Sequence, residues 1–413
     1  MTGKSLTRRE FIESSAVAAA VPWATIIPRS VQGANDKIEL GVIGCGSRGR
    51  NALMTDVHRF DIDENVTITA VCDVWNEQRA EAVKMTQDWY GQAAREFVDY
   101  RDVLALPNIG AVLIAAPDHL HCTILKAAAE AGKDAYCEKP LARNLDELIA
   151  AVDAVKKHHR VVQVGTQLRS MASFTGCRQA VQGGALGSII KAEQVRNSYK
   201  PYWHEYVRPI KESDTNWDLF LGPAAKQPFD PDKHSAWYGY RDFSDGPIGG
   251  FMSHFIDLVH YITGAQFPRS AVTLGGIYAW KDQRTCPDSV HTLLEYPEGF
   301  LVSYSTMFGN GSGNIMRFYG TKGFIDATEW GSPYITGEGC EAPDRVPEQK
   351  PVEEVPVPHH MQNFLQCLRT RQQPNANIDA GYQHAVAVIL AGQALVENRR
   401  MRYDAENRKI VPA

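Results

Sequence analysis

The run Gly44-Cys45-Gly46-Ser47-Arg48-Gly49 has the G-x-G-x-x-G spacing of a dinucleotide-binding turn, and an apolar stretch typical of a buried strand precedes it. Glycines let a pyrophosphate approach the backbone N–H groups at a helix N-terminus, where side chains would obstruct it. Asp73 ends the next predicted strand, where a carboxylate accepts hydrogen bonds from an adenosine ribose and repels a 2′-phosphate. NAD is therefore favoured over NADP. Two alternatives stay open: Asp73 as a solvated turn residue, and Arg48 as a partner for a 2′-phosphate.

Lys139 and His254 are the side chains best suited to moving a proton. Lys139 follows a predicted strand of the same sheet, at the carboxyl end where open α/β sheets bind ligands. His254 and Asp257 stand three residues apart in an apolar helical stretch and share a face, as a base and its orienting partner would. The alternatives are a surface lysine and a packed core histidine.

The elements that position these residues alternate between strand and helix patterns as far as Gly165, which predicts a parallel sheet with helices on both faces. The predicted strands are 37–43, 66–72, 111–115, 134–137 and 161–165, and the predicted helices are 76–90, 120–131 and 145–158. We therefore expect an α/β protein that begins with a doubly wound Rossmann domain.

The rest of the chain has strand patterns joined by turns, which predicts an α+β domain with a large, mostly antiparallel sheet. Its predicted strands are 189–199, 271–280, 290–296, 300–308 and 315–319. The connections 297–299 and 309–313 have the composition of hairpin turns. A proline- and glutamate-rich loop over 341–358 and a helix over 381–397 complete this part.

The N-terminus carries a twin-arginine pattern, Thr7-Arg8-Arg9-Glu10-Phe11-Ile12, followed by an alanine-rich apolar stretch that ends before Pro28. This predicts recognition by the twin-arginine export machinery, passage to the periplasm in the folded state, and removal of the segment before about Asn35. An ordinary amphipathic helix is the alternative. Free nicotinamide nucleotide is scarce outside the cytoplasm, so export favours a cofactor that is reduced and reoxidised without leaving. The expected units are a signal segment at 1–34, an NAD-binding domain at 35–165 and a substrate-binding domain at 166–413.

Composition supports this division and excludes other classes. The 413 residues suit two domains, with 44% hydrophobic and 22% charged residues. A net charge of −5 offers no basic surface for nucleic acid. The eight cysteines contain no C-x-x-C pair, and the four in or beside predicted Rossmann strands are expected to be buried fillers rather than bridges. No metal site is expected, because His119 and His121 lack a matching set of ligands.

Several motifs together resemble the Gfo/Idh/MocA family of oxidoreductases, named after glucose-fructose oxidoreductase, inositol dehydrogenase and rhizopine catabolism. Besides the glycine turn, they are the segments 115–121 (AAPDHLH), 136–141 (YCEKPL), 216–223 (NWDLFLGP) and 320–323 (GTKG), and the closing stretch from His360. The motifs extend over nearly the whole chain after the signal segment, and the Glu-Lys-Pro element is the most specific of them.

The resemblance implies roles for single residues. Lys139 would lie by the nicotinamide and the substrate hydroxyl, Glu138 would contact the nicotinamide ribose, and Pro117 and His121 would lie beside the nicotinamide. His254 would be the second catalytic residue. The chain departs from the family where an aspartate four residues before this histidine is replaced by Gly250, and where a glycine two residues before it is replaced by Met252. The loss of the aspartate points to a different proton relay or to a reaction other than simple alcohol oxidation.

Polar and aromatic residues around this core suit a sugar, because pyranose rings stack on aromatic faces and their hydroxyls need polar partners. Gln167, Arg169, Tyr202 and Asp257 are the predicted substrate contacts. A wider aromatic and basic cluster, equally compatible with a packed core, comprises Tyr199, Trp203, His204, Tyr206, Arg208, Trp237, Tyr238 and Tyr240.

The sequence thus predicts a homo-oligomeric oxidoreductase that holds NAD tightly and takes a hydride from a secondary alcohol carbon of a sugar, polyol or glycoside. One alternative is an NAD-dependent glycosidase that oxidises C3 transiently and cleaves by elimination. The other is a non-catalytic sugar or nucleotide binding protein, because Rossmann folds can lose their chemistry.

Overall fold

The computed structural model describes residues 37–413, so the predicted signal segment at 1–34 lies outside the described residues. Two sheets organise this part of the chain, one of six strands and one of ten. The prediction of a Rossmann sheet followed by a large, mostly antiparallel sheet is confirmed. Among residues 37–413, no helix has both the length and the apolar character needed to cross a bilayer.

The first sheet is wholly parallel, in the order β3-β2-β1-β4-β5-β6. Its strands are β1 Ile38–Ile43, β2 Val66–Cys72, β3 Arg95–Phe97, β4 Ile109–Ile114, β5 Asp134–Cys137 and β6 Val162–Val164. A π-helical turn at Gly49–Met54 precedes the helices α1 Thr55–Phe60, α2 Asn76–Tyr90, α3 Tyr100–Leu104, α4 His121–Glu130 and α5 Leu145–Lys157. Strand order reverses between β1 and β4, which opens a ligand crevice at their carboxyl ends.

Sequence periodicity located five of these six strands and missed β3. This strand has three residues, two of them exposed, and it pairs with β2 alone at the edge of the sheet. A short edge strand with exposed residues carries no apolar pattern, so its pairing depends on the neighbouring strand rather than on its own sequence.

The second sheet has the order β14-β13-β12-β11-β7-β10-β9-β8-β15-β16. Its strands are β7 Ile189–Val195, β8 Ser270–Gly276, β9 Ser289–Glu295, β10 Leu301–Met307, β11 Ile315–Gly320, β12 Gly323–Asp326, β13 Tyr334–Thr336, β14 Lys350–Pro351, β15 Met401–Asp404 and β16 Lys409–Pro412. The helices of this part are α6 Ala172–Gln182, α7 Trp217–Leu221, α8 Pro231–Ser235, α9 Ser253–Thr263, α10 His360–Thr370 and α11 Ile378–Glu397.

One of the two predicted hairpins is wrong. Residues 297–299 do join the antiparallel pair β9 and β10, but 309–313 cross over β7 to reach β11. β7 lies between β10 and β11, parallel to the first and antiparallel to the second. A glycine-rich connection can form either a tight hairpin or a crossover. It forms a crossover here because β7, which lies more than a hundred residues earlier in the sequence, is inserted between β10 and β11.

Helix α10 joins the two halves of the chain. It lies late in the sequence, yet Met361, Phe364 and Leu365 pack into the core of the first sheet beneath β1 and β2. Gln163 on β6 donates to the carbonyl oxygen of His360 over 2.5 Å. All eight cysteines have free thiols, and seven of them are buried.

Candidate active site

The candidate site is a cleft between the two sheets, at the carboxyl end of the parallel strands. A cavity of about 370 Å³ is lined by Glu138, Lys139 and Gln167 from the first half, and by His254 and Tyr238 from the second. A groove of about 410 Å³ continues from it along the glycine turn to Asp73. The strand order predicts a ligand at this position.

The glycine turn is shaped to receive a pyrophosphate. Gly44 has φ +92°, and a Cβ there would collide with the backbone of Ala115, so only glycine fits. A Cβ at Gly46 would meet no heavy atom within 4 Å, because this face of the turn borders the open groove. The chain becomes helical from Ser47, and this N-terminal end of the helical turn borders the groove. These residues fit the dinucleotide that the sequence predicts.

Asp73 fixes the turn to the end of β2. Its Oδ2 accepts from the backbone N–H of Cys45 over 2.7 Å, and its Oδ1 accepts from that of Trp75 over 2.8 Å. Burial raises the pKa of the Asp73 carboxyl, and these two hydrogen bonds oppose the increase. Each carboxylate oxygen keeps a second lone pair, and because Asp73 lines the groove, the carboxylate suits a ribose diol.

Arg48 is paired with a carboxylate. Its Nε lies 2.7 Å from Oε1 of Glu138, a buried residue that also accepts from Gln167 Nε2 over 3.2 Å. The guanidinium therefore belongs to the cavity at the nicotinamide end, where Glu138 and Lys139 also lie, and its charge is neutralised there. This partner weakens the alternative in which Arg48 binds a 2′-phosphate.

Lys139 lies on the wall of the cavity, with its ammonium held by a backbone carbonyl. Nζ donates to the carbonyl oxygen of Gly250 over 2.7 Å. Burial lowers the pKa of Lys139, while the carboxylates of Glu138 and Asp118 oppose the decrease. A lysine with a lowered pKa exchanges its proton more readily near neutral pH.

Asp118 is a cavity residue that sequence reasoning did not select. It is buried, and Ser244 Oγ donates to its Oδ2 over 2.9 Å. Burial raises the pKa of Asp118 to about 6. It stands directly after Pro117 in the AAPDHLH motif, so its place beside a predicted nicotinamide contact was the available signal.

His254 lies in the first turn of α9 and forms part of the cavity wall. Its Nδ1 has no hydrogen-bond partner within residues 37–413. Burial lowers the pKa of His254 well below its ordinary value, and the charges of Lys139 and Arg48 lower it further. The imidazole is therefore neutral at pH 7 and able to accept a proton.

The predicted pairing of His254 with Asp257 is not formed. Oδ2 of Asp257 accepts from Arg169 Nε over 2.7 Å, and its Oδ1 lies 3.8 Å from Nδ1 of His384. Asp257 and Arg169 are both buried, and neither belongs to the lining of the cavity or the groove. A buried guanidinium needs a carboxylate close by. Asp257 therefore pairs with Arg169, although its spacing along the helix also suited a contact with His254.

Tyr202 occupies the space in front of Gly250. A Cβ built on Gly250 would lie 2.5 Å from the Tyr202 hydroxyl oxygen, so a larger residue at this position would displace that ring. The hydroxyl also lies 3.4 Å from the carbonyl oxygen of Gly246. Tyr202, from another segment, therefore fills the space that an aspartate at position 250 would need. Its ring packs behind the cavity wall.

The remaining predicted contacts differ in where they lie. Ser47, His121 and Gln167 line the cavity, and Pro117 lines the groove.

The predicted aromatic and basic cluster has exposed members, buried members and members that line the site. Tyr199 is 68% exposed, whereas Trp203 and Tyr240 are buried in two different cores. Tyr206, Trp237 and Tyr238 line both the cavity and the groove, and the rings of Trp237 and Tyr238 stack with centroids 3.6 Å apart.

Among residues 37–413, no three histidine, cysteine or carboxylate side chains converge as metal ligands. The cleft brings together a lysine, a neutral histidine and a carboxyl with a raised pKa, beside a groove that fits a dinucleotide.

Comparison with curated proteins gives partial matches. The chain is 28% identical over 263 residues to a levoglucosan dehydrogenase of Pseudarthrobacter phenanthrenivorans, which covers 57% of this chain and 60% of that one. It is 30% identical over 178 residues to an inositol 2-dehydrogenase/D-chiro-inositol 3-dehydrogenase of Lactiplantibacillus plantarum, covering 42% and 49%. It is 29% identical over 241 residues to glycosyl hydrolase family 109 protein 2 of Shewanella sp. strain ANA-3, covering 56% and 48%. The matched regions span about half to three fifths of these relatives.

A levoglucosan dehydrogenase solved with NADH and levoglucosan has the same fold, with a TM-score of 0.67 and 20% identity over 91% of this chain and 99% of that one. Family models match both halves of the sequence. Residues 38–166 match "Oxidoreductase family, NAD-binding Rossmann fold", and residues 178–402 match "Oxidoreductase family, C-terminal alpha/beta domain". The chain belongs to the Gfo/Idh/MocA oxidoreductase family, and residues 38–166 form its NAD-binding Rossmann domain.

Proposed function

We propose that the protein is an NAD-dependent oxidoreductase acting on a secondary alcohol carbon of a sugar, polyol or glycoside. The observation that carries this proposal is the meeting of Lys139, Asp118 and His254 in one cavity at the end of the dinucleotide groove. Bound NAD supplies a hydride acceptor at the nicotinamide. The relatives named levoglucosan dehydrogenase and inositol dehydrogenase support a carbohydrate or polyol as the substrate.

The three proton-handling residues have distinct protonation states at neutral pH. Lys139 donates to a carbonyl and can also donate to a substrate hydroxyl in the cavity, lowering that hydroxyl's pKa. His254 lines the cavity with a neutral imidazole and can receive the hydroxyl proton. Asp118, with a pKa of about 6, accepts a hydrogen bond from the Ser244 hydroxyl and can take up or release a proton at the cavity near neutral pH. A secondary alcohol can lose its proton along this set.

The aromatic wall suits the ring of a sugar. Trp237, Tyr238 and Tyr206 present flat faces to the same cavity that contains the polar residues. Stacking on these faces would orient the ring, while Gln167 and Glu138 offer hydrogen bonds to its hydroxyls.

The test is a substrate screen with the full chain and NAD, followed as absorbance at the reduced nicotinamide band. Levoglucosan, inositols and simple glycosides are the first probes. We expect reduction with at least one of them, and the Lys139→Ala variant should bind NAD without reducing it. A chain that binds NAD but reduces it with no sugar, polyol or glycoside would refute the oxidoreductase proposal.

A redox-neutral glycosidase is the second candidate, supported by the similarity to glycosyl hydrolase family 109 protein 2 and by Gly250 in place of the family aspartate. In such a reaction C3 of the sugar is oxidised transiently, the C2 hydrogen becomes acidic, elimination breaks the glycosidic bond, and C3 is reduced again after water adds. Release of an aglycone without accumulation of NADH would identify the glycosidase, whereas accumulation of NADH would identify the dehydrogenase.

We also propose export to the periplasm with NAD already bound, on the strength of the twin-arginine pattern at Arg8 and Arg9. Retention through dilution requires a dissociation constant far below the free nucleotide concentration. The test is to recover the protein from the periplasm of a host with a twin-arginine system and dialyse it extensively. Close to one nucleotide per chain is expected, and the Arg8→Lys/Arg9→Lys variant should stay in the cytoplasm. An empty site would refute the proposed retention.

A homo-oligomer is proposed from one face of the ten-stranded sheet. Val272, Leu293 and Leu301 are 38%, 50% and 50% exposed. Val272 lies opposite Leu293 across the β8–β9 pair, and Leu274, at 70% exposed, stands two residues from Val272 on the same face. Exposed apolar side chains gathered on one sheet face are typical of a surface covered by another subunit.

A further inference from the structure

Residues 215–221, here called the clamp segment, belong to the second half of the chain but are attached to the loop that follows strand β2 of the dinucleotide-binding sheet. The backbone N–H of Asn216 donates to the carbonyl oxygen of Val74 over 3.1 Å, and Thr215 forms an antiparallel bridge with Trp75. Val74 and Trp75 directly follow Asp73, the predicted ribose contact. The segment is therefore attached beside the place where adenosine is expected.

The clamp segment closes one side of an apolar pocket at this end of the groove. Leu219 and Phe220 line it from the second half of the chain, and Val74, Val98 and Pro117 line it from the first. Asp73 and Gly44 also border the pocket, so a ribose held by Asp73 would direct its attached base into it. A flat apolar slot beside a ribose site suits an adenine ring.

The helix that carries these side chains is rigidly supported. Asn216 caps α7 by accepting from the backbone N–H of Leu219 over 3.0 Å. The Phe220 ring stacks on Trp217 with centroids 5.0 Å apart and on His234 with centroids 4.5 Å apart. His119 of the Rossmann domain lies with Nε2 2.8 Å from the carbonyl oxygen of Phe220. Contacts on three sides hold Leu219 and Phe220 against the pocket.

The rest of the groove is covered from the same half of the chain. Tyr206, Arg208, Trp237 and Tyr238 line the groove opposite the glycine turn. A dinucleotide in the groove would therefore contact the second half of the chain both opposite the glycine turn and at the adenosine end, and these contacts would have to break before it could leave.

We propose that Leu219 and Phe220 of the clamp segment form the second-domain wall of the adenosine site and slow the release of NAD. This inference rests on the proposed retention of the cofactor and names the part of the structure that would slow its release. The ligand it recognises is the adenine base of a dinucleotide, and the contacts are those of Leu219 and Phe220.

The test measures release of bound NADH from the full chain, by stopped-flow fluorescence during a chase with excess NAD. Leu219→Ala removes a partly exposed pocket side chain and should raise the release rate by about 10-fold or more, because apolar contact with adenine is lost. Asp218→Ala is the matched control, because its side chain is on the same helix, 80% exposed and paired with Lys226. The control should release NADH at the wild-type rate.

Fragments of the cofactor separate an adenosine contact from a general loosening of the fold. Leu219→Ala should weaken binding of ADP-ribose by the same factor as NADH and leave binding of nicotinamide mononucleotide unchanged. Equal weakening of both fragments, an unchanged NADH release rate, or failure of the wild-type chain to bind NADH and ADP-ribose would each overturn the inference. A chain that shows the expected release pattern but oxidises no sugar would refute the proposed activity alone.

Discussion

At the scale of single residues, the cleft combines groups whose pKa values are shifted by burial. Burial lowers the pKa of Lys139 and His254 and raises that of Asp118 to about 6. Burial disfavours the charged form of each group, so the cationic and anionic side chains shift in opposite directions. Such shifts are concentrated at functional sites because acid–base chemistry at pH 7 needs them.

The Asp118→Asn variant should have a different pH dependence of stability from the wild type. The pKa of Asp118 rises from 3.8 to about 6 on folding, so the folded chain binds an extra proton between these values. The stabilisation is fully present below the unfolded pKa and is lost as the pH rises through the folded pKa. Relative to the variant, the wild type should lose up to roughly 3 kcal/mol of unfolding free energy between about pH 4 and about pH 7.

Urea unfolding of both proteins across this pH range measures the difference. Subtracting the two curves removes the contributions of all other titrating groups. Parallel curves would show that Asp118 keeps its ordinary pKa in the folded chain.

Lys139 and His254 should act as one unit on the substrate proton. Lys139→Ala and His254→Ala should each lower turnover by on the order of 10² to 10⁴, and the double variant should lose far less than the product of the two. The measurement is turnover with the best substrate of the screen, and ADP-ribose binding controls for an intact groove. Full activity in either single variant would remove that residue from the mechanism.

At the scale of elements, helix α9 has two roles that are separated along its length. Its first turn presents His254 to the cavity, while Asp257 is turned into the protein against Arg169 and His384. The ion pair joins α9 to the short helix after β6, and α9 also packs on α11. The position of His254 therefore depends on a buried charge pair behind the site.

Breaking the Arg169–Asp257 pair should destabilise the fold strongly. Asp257→Ala leaves a buried guanidinium without its carboxylate, which costs about 3 to 5 kcal/mol. The Arg169→Met/Asp257→Leu double variant should recover much of this loss, because it buries no charge. Urea unfolding measures both, and Glu130→Ala, which breaks an exposed pair with Lys126, serves as the control with little expected change. A small effect of Asp257→Ala would show that the interior accommodates a single charge.

At the scale of the whole molecule, the two halves are joined by elements that cross from one to the other. Helix α10 closes the core of the first sheet, and the clamp segment is attached to the loop that follows β2. The outer face of the ten-stranded sheet is left exposed and apolar by this arrangement.

Charges placed on the exposed sheet face should disrupt association. Leu274→Lys and Leu293→Lys put like charges onto neighbouring strands of that face, where an apolar partner surface would bury them at high cost. Light scattering after size-exclusion chromatography should show a smaller species than the wild type. Val396→Lys, exposed elsewhere on helix α11, is the matched control and should leave the mass unchanged. A monomeric wild type would refute the proposed oligomer.

The sequence by itself determined the features that depend on local spacing. The glycine turn, Asp73, the Glu-Lys-Pro element and five of the six Rossmann strands could be located because each depends on residues that are close along the chain. The confirmed preference for an NAD-binding fold follows from the same local patterns. Lys139 and His254 were selected from motif and spacing, and the structure brings them to one cavity.

Only the tertiary structure decided which distant groups meet. Asp118 lines the cavity with Lys139, Asp257 pairs with Arg169 instead of His254, and Tyr202 fills the space in front of Gly250. The path of 309–313 likewise depends on where β7 inserts. The spacing along helix α9 allows the Asp257 carboxylate to contact more than one neighbour. It pairs with Arg169 because both groups are buried and carry opposite charges. That selection is a property of the packed interior, which residue spacing along one chain segment does not encode.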